Sequence, residues 1–157
     1  MRIVVDTREQ FPFVFSAYPG VELVAGTLNC GDYSLPGLED RIAIERKSLA
    51  DFIGSISSGR ERFENELRRA ANHQCFKIVV EGASYEDVCA GGYGSKMSSY
   101  AVVQTIRAWE MRYRCPIKFY RTRAGAEAEV YESLRLYLEH ESRRAKSVLK
   151  LLKKEAA

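Results

Sequence analysis

The sequence predicts an α/β domain, a mixed central sheet flanked by helices, from three observations. Short β-branched runs recur along the chain, at Arg2 to Val5, Ile42 to Glu45, Phe76 to Glu81 and Ile117 to Tyr120. Between them apolar residues repeat at helical spacing. The order, strands first and then strand and helix in alternation, is that of a sheet covered by helices rather than a bundle or a sandwich.

Each element has a local reason. Phe76-Lys-Ile-Val-Val-Glu81 is ended by Gly82, and Pro116 stops a helix before the Ile117 strand begins. Val21, Leu23 and Val24 lie between Gly20 and Gly31, a stretch expected to hold one or two further strands with turns at the glycines. Ser48 is placed to cap a helix running through Ile56. After the Ser57-Ser58-Gly59 turn, Phe63, Leu67, Ala70 and Ala71 form a second apolar stripe. Val102, Ile106, Trp109 and Tyr113, preceded by Ser98 and Ser99 as caps, form a third. Val130, Leu134, Tyr137 and Leu138 form a fourth. Stripes of this kind are core or subunit contacts rather than ligand boxes.

At 157 residues, 46% of them hydrophobic, the chain suits one globular domain with a substantial core. No apolar run approaches the roughly 20 residues that span a bilayer, and the Met-Arg-Ile-Val-Val-Asp start is unlike a signal peptide. The reading is a cytoplasmic protein, intracellular in any host, in the nucleoid or in a nucleus if there is one. Cys30, Cys75, Cys89 and Cys115 form no C-x-x-C pair, which argues for reduced, mostly buried thiols and against a zinc knuckle. The net charge is +3, yet residues 142–157 carry six cations against Glu155, so the first 141 residues carry −2. The division expected is therefore a body, 1–141, and a basic helical tail, 142–157.

The chemistry lies around Arg41-Ile-Ala-Ile-Glu-Arg-Lys47. Alternate residues of a strand share a face, so Glu45 and Lys47 point one way and Ile42 and Ile44 the other. Gly31 precedes Asp32 at an expected turn, and glycine there lets the backbone bring Asp32 beside Glu45. Two carboxylates and an ammonium suit phosphodiester hydrolysis, because Mg2+ takes oxygen ligands while keeping open positions for water and phosphate. Lys47 would orient the attacking water and neutralise charge. The bland alternative is a surface Glu-Lys pair, worth at most about 1 kcal/mol.

Gly31-Asp32 followed by Glu45-Arg46-Lys47-Ser48-Leu49-Ala50-Asp51 resembles the G-D…E-R-K-x-x-x-D motif of the XPF/Mus81 family, the ERCC4 nuclease domain. Val4-Val5-Asp6-Thr7-Arg8-Glu9 is similar to that family's opening, and Gly59-Arg60 to its helix-opening G-R segment. Val80-Glu81-Gly82 and the Arg112 to Ile117 run follow in the family's order. The likeness spans roughly Ile3 to His140. It implies a restriction-endonuclease-like fold and a metal-dependent endodeoxyribonuclease that cuts branched or flapped DNA, with a role in DNA repair or recombination. Asp32, Glu45 and Lys47 would be the cleavage set. Asp32, Glu45 and Asp6 would bind Mg2+, with Mn2+ as a substitute. Arg8, Arg46 and Asp51 would support the site, and Arg8, Arg60 and Lys96 would contact DNA.

Alternatives stay open at several positions. Asp6 could be a turn former, Asp51 a helix-dipole partner and Arg60 the partner of Glu64 one turn on. Ala90-Gly-Gly-Tyr-Gly-Ser-Lys96 lacks the adjacent Gly-Lys of a phosphate-binding loop, so it is expected to be a mobile loop in which Tyr93 and Lys96 contact DNA. Many relatives carry tandem helix-hairpin-helix modules, whereas only the basic helix follows residue 141 here, as in a nuclease domain standing nearly alone. Family members pair through this domain, so a homodimer is expected. The rival reading is a catalytically silent DNA-binding or dimerisation partner, disfavoured because the acidic residues and the lysine are all present.

Overall fold

The β-branched runs assemble into one sheet. Its strands are β1 Arg2–Asp6, β2 Glu22–Gly26, β3 Tyr33–Ser34, β4 Ile42–Ser48, β5 Cys75–Glu81 and β6 Ile117–Tyr120, in the spatial order β2-β1-β3-β4-β5-β6. The computed structural model describes residues 1–155. β3 is antiparallel to both β1 and β4, and the pairs β1–β2, β4–β5 and β5–β6 are parallel, so the sheet is mixed. The parallel pair of β4 and β5 runs from Ile42 opposite Cys75 to Ser48 opposite Glu81, and the apolar runs Ile42-Ala-Ile44 and Ile78-Val-Val80 within it are what strands buried on both faces require.

Helices cover both faces. α1 Leu49–Ile56, α2 Arg60–Ala70, α3 Tyr85–Cys89 and α4 Ser99–Tyr113 lie on one side, and α5 Arg123–Glu155 on the other. The first core packs Phe52, Phe63, Leu67, Ile106 and Trp109 against Ala43, Ile78 and Val80 of the sheet. The second packs Ala126, Val130 and Leu134 of α5 with Phe13, Phe15 and Tyr33 against Ile3, Ile42, Ile44 and Val79. The architecture is the mixed, helix-flanked α/β sheet that the sequence predicts, in keeping with the fold that the family resemblance implies. α1 starts at Ser48, whose hydroxyl accepts from the Asp51 N–H, and α4 at Ser98, which accepts from Ala101. Arg114 ends α4 in the left-handed region at φ 53°, one residue before the Cys115-Pro116 turn into β6.

Three features differ from expectation. β3 is a two-residue bridge too short to leave a periodic signal. α3 is a single capped turn, with Ser84 and Asp87 forming a reciprocal capping box. The fourth apolar stripe and the basic tail are one continuous 33-residue helix, α5, with no break at 141/142. What changes there is burial, since every side chain described from 142 to 154 is exposed; Ala156 and Ala157 of the tail lie outside the described residues. All four cysteines are free, Cys30 and Cys115 buried, Cys75 half-buried and Cys89 exposed. No helix among the described residues is long and apolar enough to cross a membrane.

Candidate active site

The strand alternation puts Ile42, Ile44 and Arg46 toward α5, and Ala43, Glu45 and Lys47 toward α1 and α2. Glu45 is only 7% exposed. Lys47 folds back on it, with Nζ 2.8 Å from Glu45 Oε1 and 4.3 Å from the centre of the Phe63 ring, which seats the ammonium over an aromatic face.

Asp32 reaches the same cleft through its backbone. Gly31 sits at φ +75°, and a Cβ there would come within 3.0 Å of Ala43 Cβ and 3.2 Å of the Ile44 backbone, so glycine is required on both counts. This close approach lets the Asp32 N–H donate to Ile44 O and the Asp32 carbonyl accept from Asp6 N, both at 2.8 Å. Asp32 is thereby bracketed by β1 and β4, and its Oδ2 accepts from the Arg46 N–H at 2.7 Å.

Asp32, Glu45 and Lys47 thus line one open cleft of about 300 Å3, together with Arg8, Arg62 and Glu66. Burial raises both carboxyls above the ordinary carboxylate range. The charge of Asp32 raises Glu45 further, while the Arg46 N–H and Lys47 pull Asp32 back down. A cation between two such groups relieves both the desolvation and the repulsion. No three His, Cys, Asp or Glu among the described residues converge to hold a metal without further help. The donor set nevertheless fits Mg2+ or Mn2+, because such ions are held by one or two carboxylates and complete their shell with water and phosphate.

Four of the expected residues have protein partners that shape what they can do. Asp6 lines the cleft, but its carboxylate already accepts from the Arg8 N–H, Arg8 Nε and Nη2, and the Leu28 N–H. Burial alone would raise its pKa, and these donors outweigh burial and lower it. Asp6 is therefore engaged as a brace that aims Arg8. Arg46 points to the opposite face, into an ion network with Glu81 and, at 3.7 Å, Glu9; only its backbone serves the site. Arg60 is 3.0 Å from Glu64 and lies over the Trp109 ring, outside the carboxylate cleft. Tyr93 is buried, its hydroxyl donating to Met97 O.

Other expected residues are at the margins. Arg8 lies on the rim with its side chain 67% exposed. Asp51 is exposed, pairs with the Ser48 hydroxyl and lines the neighbouring cleft. Lys96 is exposed in the loop after α3 and lines neither cleft. The sequence reading missed Arg62, Glu66 and Arg69. Each lies one residue before a buried member of the α2 stripe, Phe63, Leu67 and Ala70, and this offset row faces the cleft.

A six-stranded mixed sheet between helical layers, with a cleft of paired carboxylates and cations at β4, defines the class as restriction-endonuclease-like. Residues 5–129 match the model of the ERCC4 domain, and the chain belongs to that family. It is 27% identical over 139 residues to the DNA repair endonuclease XPF of Cricetulus griseus, an alignment that takes in 85% of this chain and 15% of that protein. It also resembles the solved XPF of Aeropyrum pernix, with a TM-score of 0.70 and 25% identity over 87% of this chain and 61% of that one. The same archaeal protein in complex with DNA gives a TM-score of 0.66 at 25% identity, over 88% and 65% of the two chains. The chain therefore spans less than two thirds of each of these relatives.

Proposed function

We propose that this chain hydrolyses DNA phosphodiester bonds as a metal-dependent, structure-specific endonuclease, acting near branches or flaps. The observation that carries the reading is the meeting of the buried Glu45 and the half-buried Asp32, two charge-strained carboxylates, with Lys47 in one open cleft. Membership of the ERCC4 domain family and likeness to a DNA repair endonuclease support it, as does the DNA complex of the archaeal relative.

Asp32 and Glu45 would hold Mg2+ or Mn2+, and the ion would supply Lewis-acid neutralisation of charge building on the phosphate oxygens. Asp32 is fixed for this through Oδ2 by the Arg46 N–H, and Oδ1 accepts no hydrogen bond among the described residues. Lys47 engages Glu45 with one of its three donors and turns the others to the attacking water, orienting it and screening the developing charge. Arg8, held by Asp6, offers its exposed edge to the DNA backbone. The water oxygen bonds to phosphorus as the bond to the leaving sugar oxygen breaks. Two-fold self-association belongs to the same proposal, supported by the exposed Tyr100 and Met111 of α4 and Leu136 of α5; sedimentation of the pure chain reads it directly.

Labelled flap, fork and plain duplex DNA, incubated with Mg2+, Mn2+ or chelator, test the reading. The wild type is expected to cut branched DNA only with metal, and Asp32→Ala and Lys47→Ala to bind without cutting. Binding with no cleavage under either ion would reject it in favour of a silent DNA-binding subunit.

A further inference from the structure

The carboxylate cleft continues beyond its own residues. A second cleft of about 340 Å3, lined by Lys47, Asp51, Ser58, Gly59 and Arg62, adjoins it and shares Lys47, Ser55 and Arg62. Arg62 thus stands on the ridge between the two. Arg69, seven residues further along α2, lines the first cleft and also the recess beyond it, beside Asn29 and His73. The two arginines mark the ends of a trough with the carboxylates between them.

Their electrostatic state is unlike that of their neighbours. Arg8, Arg46, Arg60, Arg68 and Arg123 each have a carboxylate within ion-pair distance. Arg62 and Arg69 are exposed and have no such partner among the described residues. Glu66, one turn from each, lies in the middle of the row and faces the carboxylate cleft. A phosphate at the midpoint of α2 would meet that negative charge, whereas one at either end would meet an unpaired guanidinium, whose fork of donors matches phosphate. Seven residues of helix separate the two by about 10 Å. Along the axis of a duplex that span is roughly three base-pair rises, so the two guanidinium groups can serve different phosphates of one strand.

We infer that the substrate strand lies lengthwise along α2, with Arg69 and Arg62 each gripping a phosphate on opposite sides of the bond to be cut. This rests on the nuclease reading and deepens it. A strand held on both sides of the scissile phosphate, in a trough that continues past the carboxylates at either end, is cut internally and needs no free terminus.

The test measures binding apart from cleavage. Anisotropy of labelled fork DNA, in chelator and over about 50 to 200 mM salt, gives the slope of log affinity against log salt. Each of Arg62→Gln and Arg69→Gln is expected to shrink that slope by roughly 0.7 to 0.9, and the double variant by roughly twice as much. Arg62→Lys and Arg69→Lys keep the slope because they keep the charge. Arg112→Gln, an exposed arginine that lines neither cleft, leaves it unchanged. Both glutamine substitutions are at exposed positions, and if the double variant melts low the slopes of the single variants decide. Wild-type affinity and slope in the double variant overturn the strand path, as does a wild type that does not bind DNA. A wild type that binds with this arginine-dependent slope yet cuts with neither Mg2+ nor Mn2+ leaves the path standing and removes the nuclease reading.

Discussion

In the metal-free chain the folded state holds protons on Asp32 and Glu45 more tightly than the unfolded chain does, because burial raises both carboxyls. From about pH 4, where unfolded carboxyls titrate, up through the raised native values, the native state therefore binds more protons and stability falls as pH rises. In chelator, the wild type is expected to be less stable at pH 8 than at pH 5. Asp32→Asn keeps an acceptor for the Arg46 N–H and removes one charge, so at pH 8 it should gain on the order of 1 to 2 kcal/mol over the wild type. Mg2+ should raise the unfolding midpoint of the wild type and not that of the variant. Urea unfolding at the two pH values checks this, and a variant that loses stability at pH 8 would show that the rim arginines already neutralise the pair. Alternation along β4 put Glu45 and Lys47 on one face and Gly31 let Asp32 approach them, while the likeness to the G-D…E-R-K-x-x-x-D motif is what singled the three out. Asp6 and Arg60 were harder to assign, because each has a partner close in sequence, Arg8 and Glu64, that absorbs it in the folded chain. Which arginines remain unpaired is a tertiary property, and so Arg62 and Arg69 were not picked out by spacing.

At the scale of elements, the site depends on how β4 is held from its far side. Arg46 pairs with Glu81 at the end of β5, Glu81 pairs with Arg123 at the start of α5, and Arg123 holds the Phe11 and Pro12 carbonyls while stacking on Phe13. Arg46 is largely buried and its Nε has no partner, so its charge depends on those carboxylates. Glu81→Gln strands that charge and is expected to cost about 3 kcal/mol, the cost of breaking a buried pair. It should also weaken metal binding, because the Arg46 backbone is what fixes Asp32. A change below about 0.5 kcal/mol in urea unfolding, with metal affinity intact, would mean that Glu9 alone suffices for Arg46; ordinary surface substitutions fall in that range. The long elements announced themselves by period. β3 has only two residues, and its pairing to β1 and β4 depends on contacts distant in sequence, which no local pattern encodes. α3 did leave a signal, Ser84 and Asp87 at capping-box spacing, though with too few turns for a stripe.

On the scale of the whole molecule, α5 joins a buried half to a half that leaves the body. Ala126, Val130 and Leu134 belong to the second core, and Glu141 makes a last firm contact with Arg41 at 2.8 Å. Beyond it Val148, Leu149, Leu151 and Leu152 are 50 to 62% exposed, among cations. Helical period alone does not report this change, because the spacing of apolar residues continues across 141/142 and only the charge shifts. A chain ending at Glu141 should accordingly lose helical ellipticity yet keep the unfolding free energy of the body within about 0.5 kcal/mol, the range of substitutions away from the core. It would also lose the basic surplus, leaving a body of net charge −2. If the tail supplies phosphate contacts, affinity for DNA should fall most at low salt and converge with the wild type as salt rises, because counterion release is the term removed. Equal affinity and equal salt slope for the two chains would take the tail out of DNA binding and leave its exposed leucines as a surface for a protein helix.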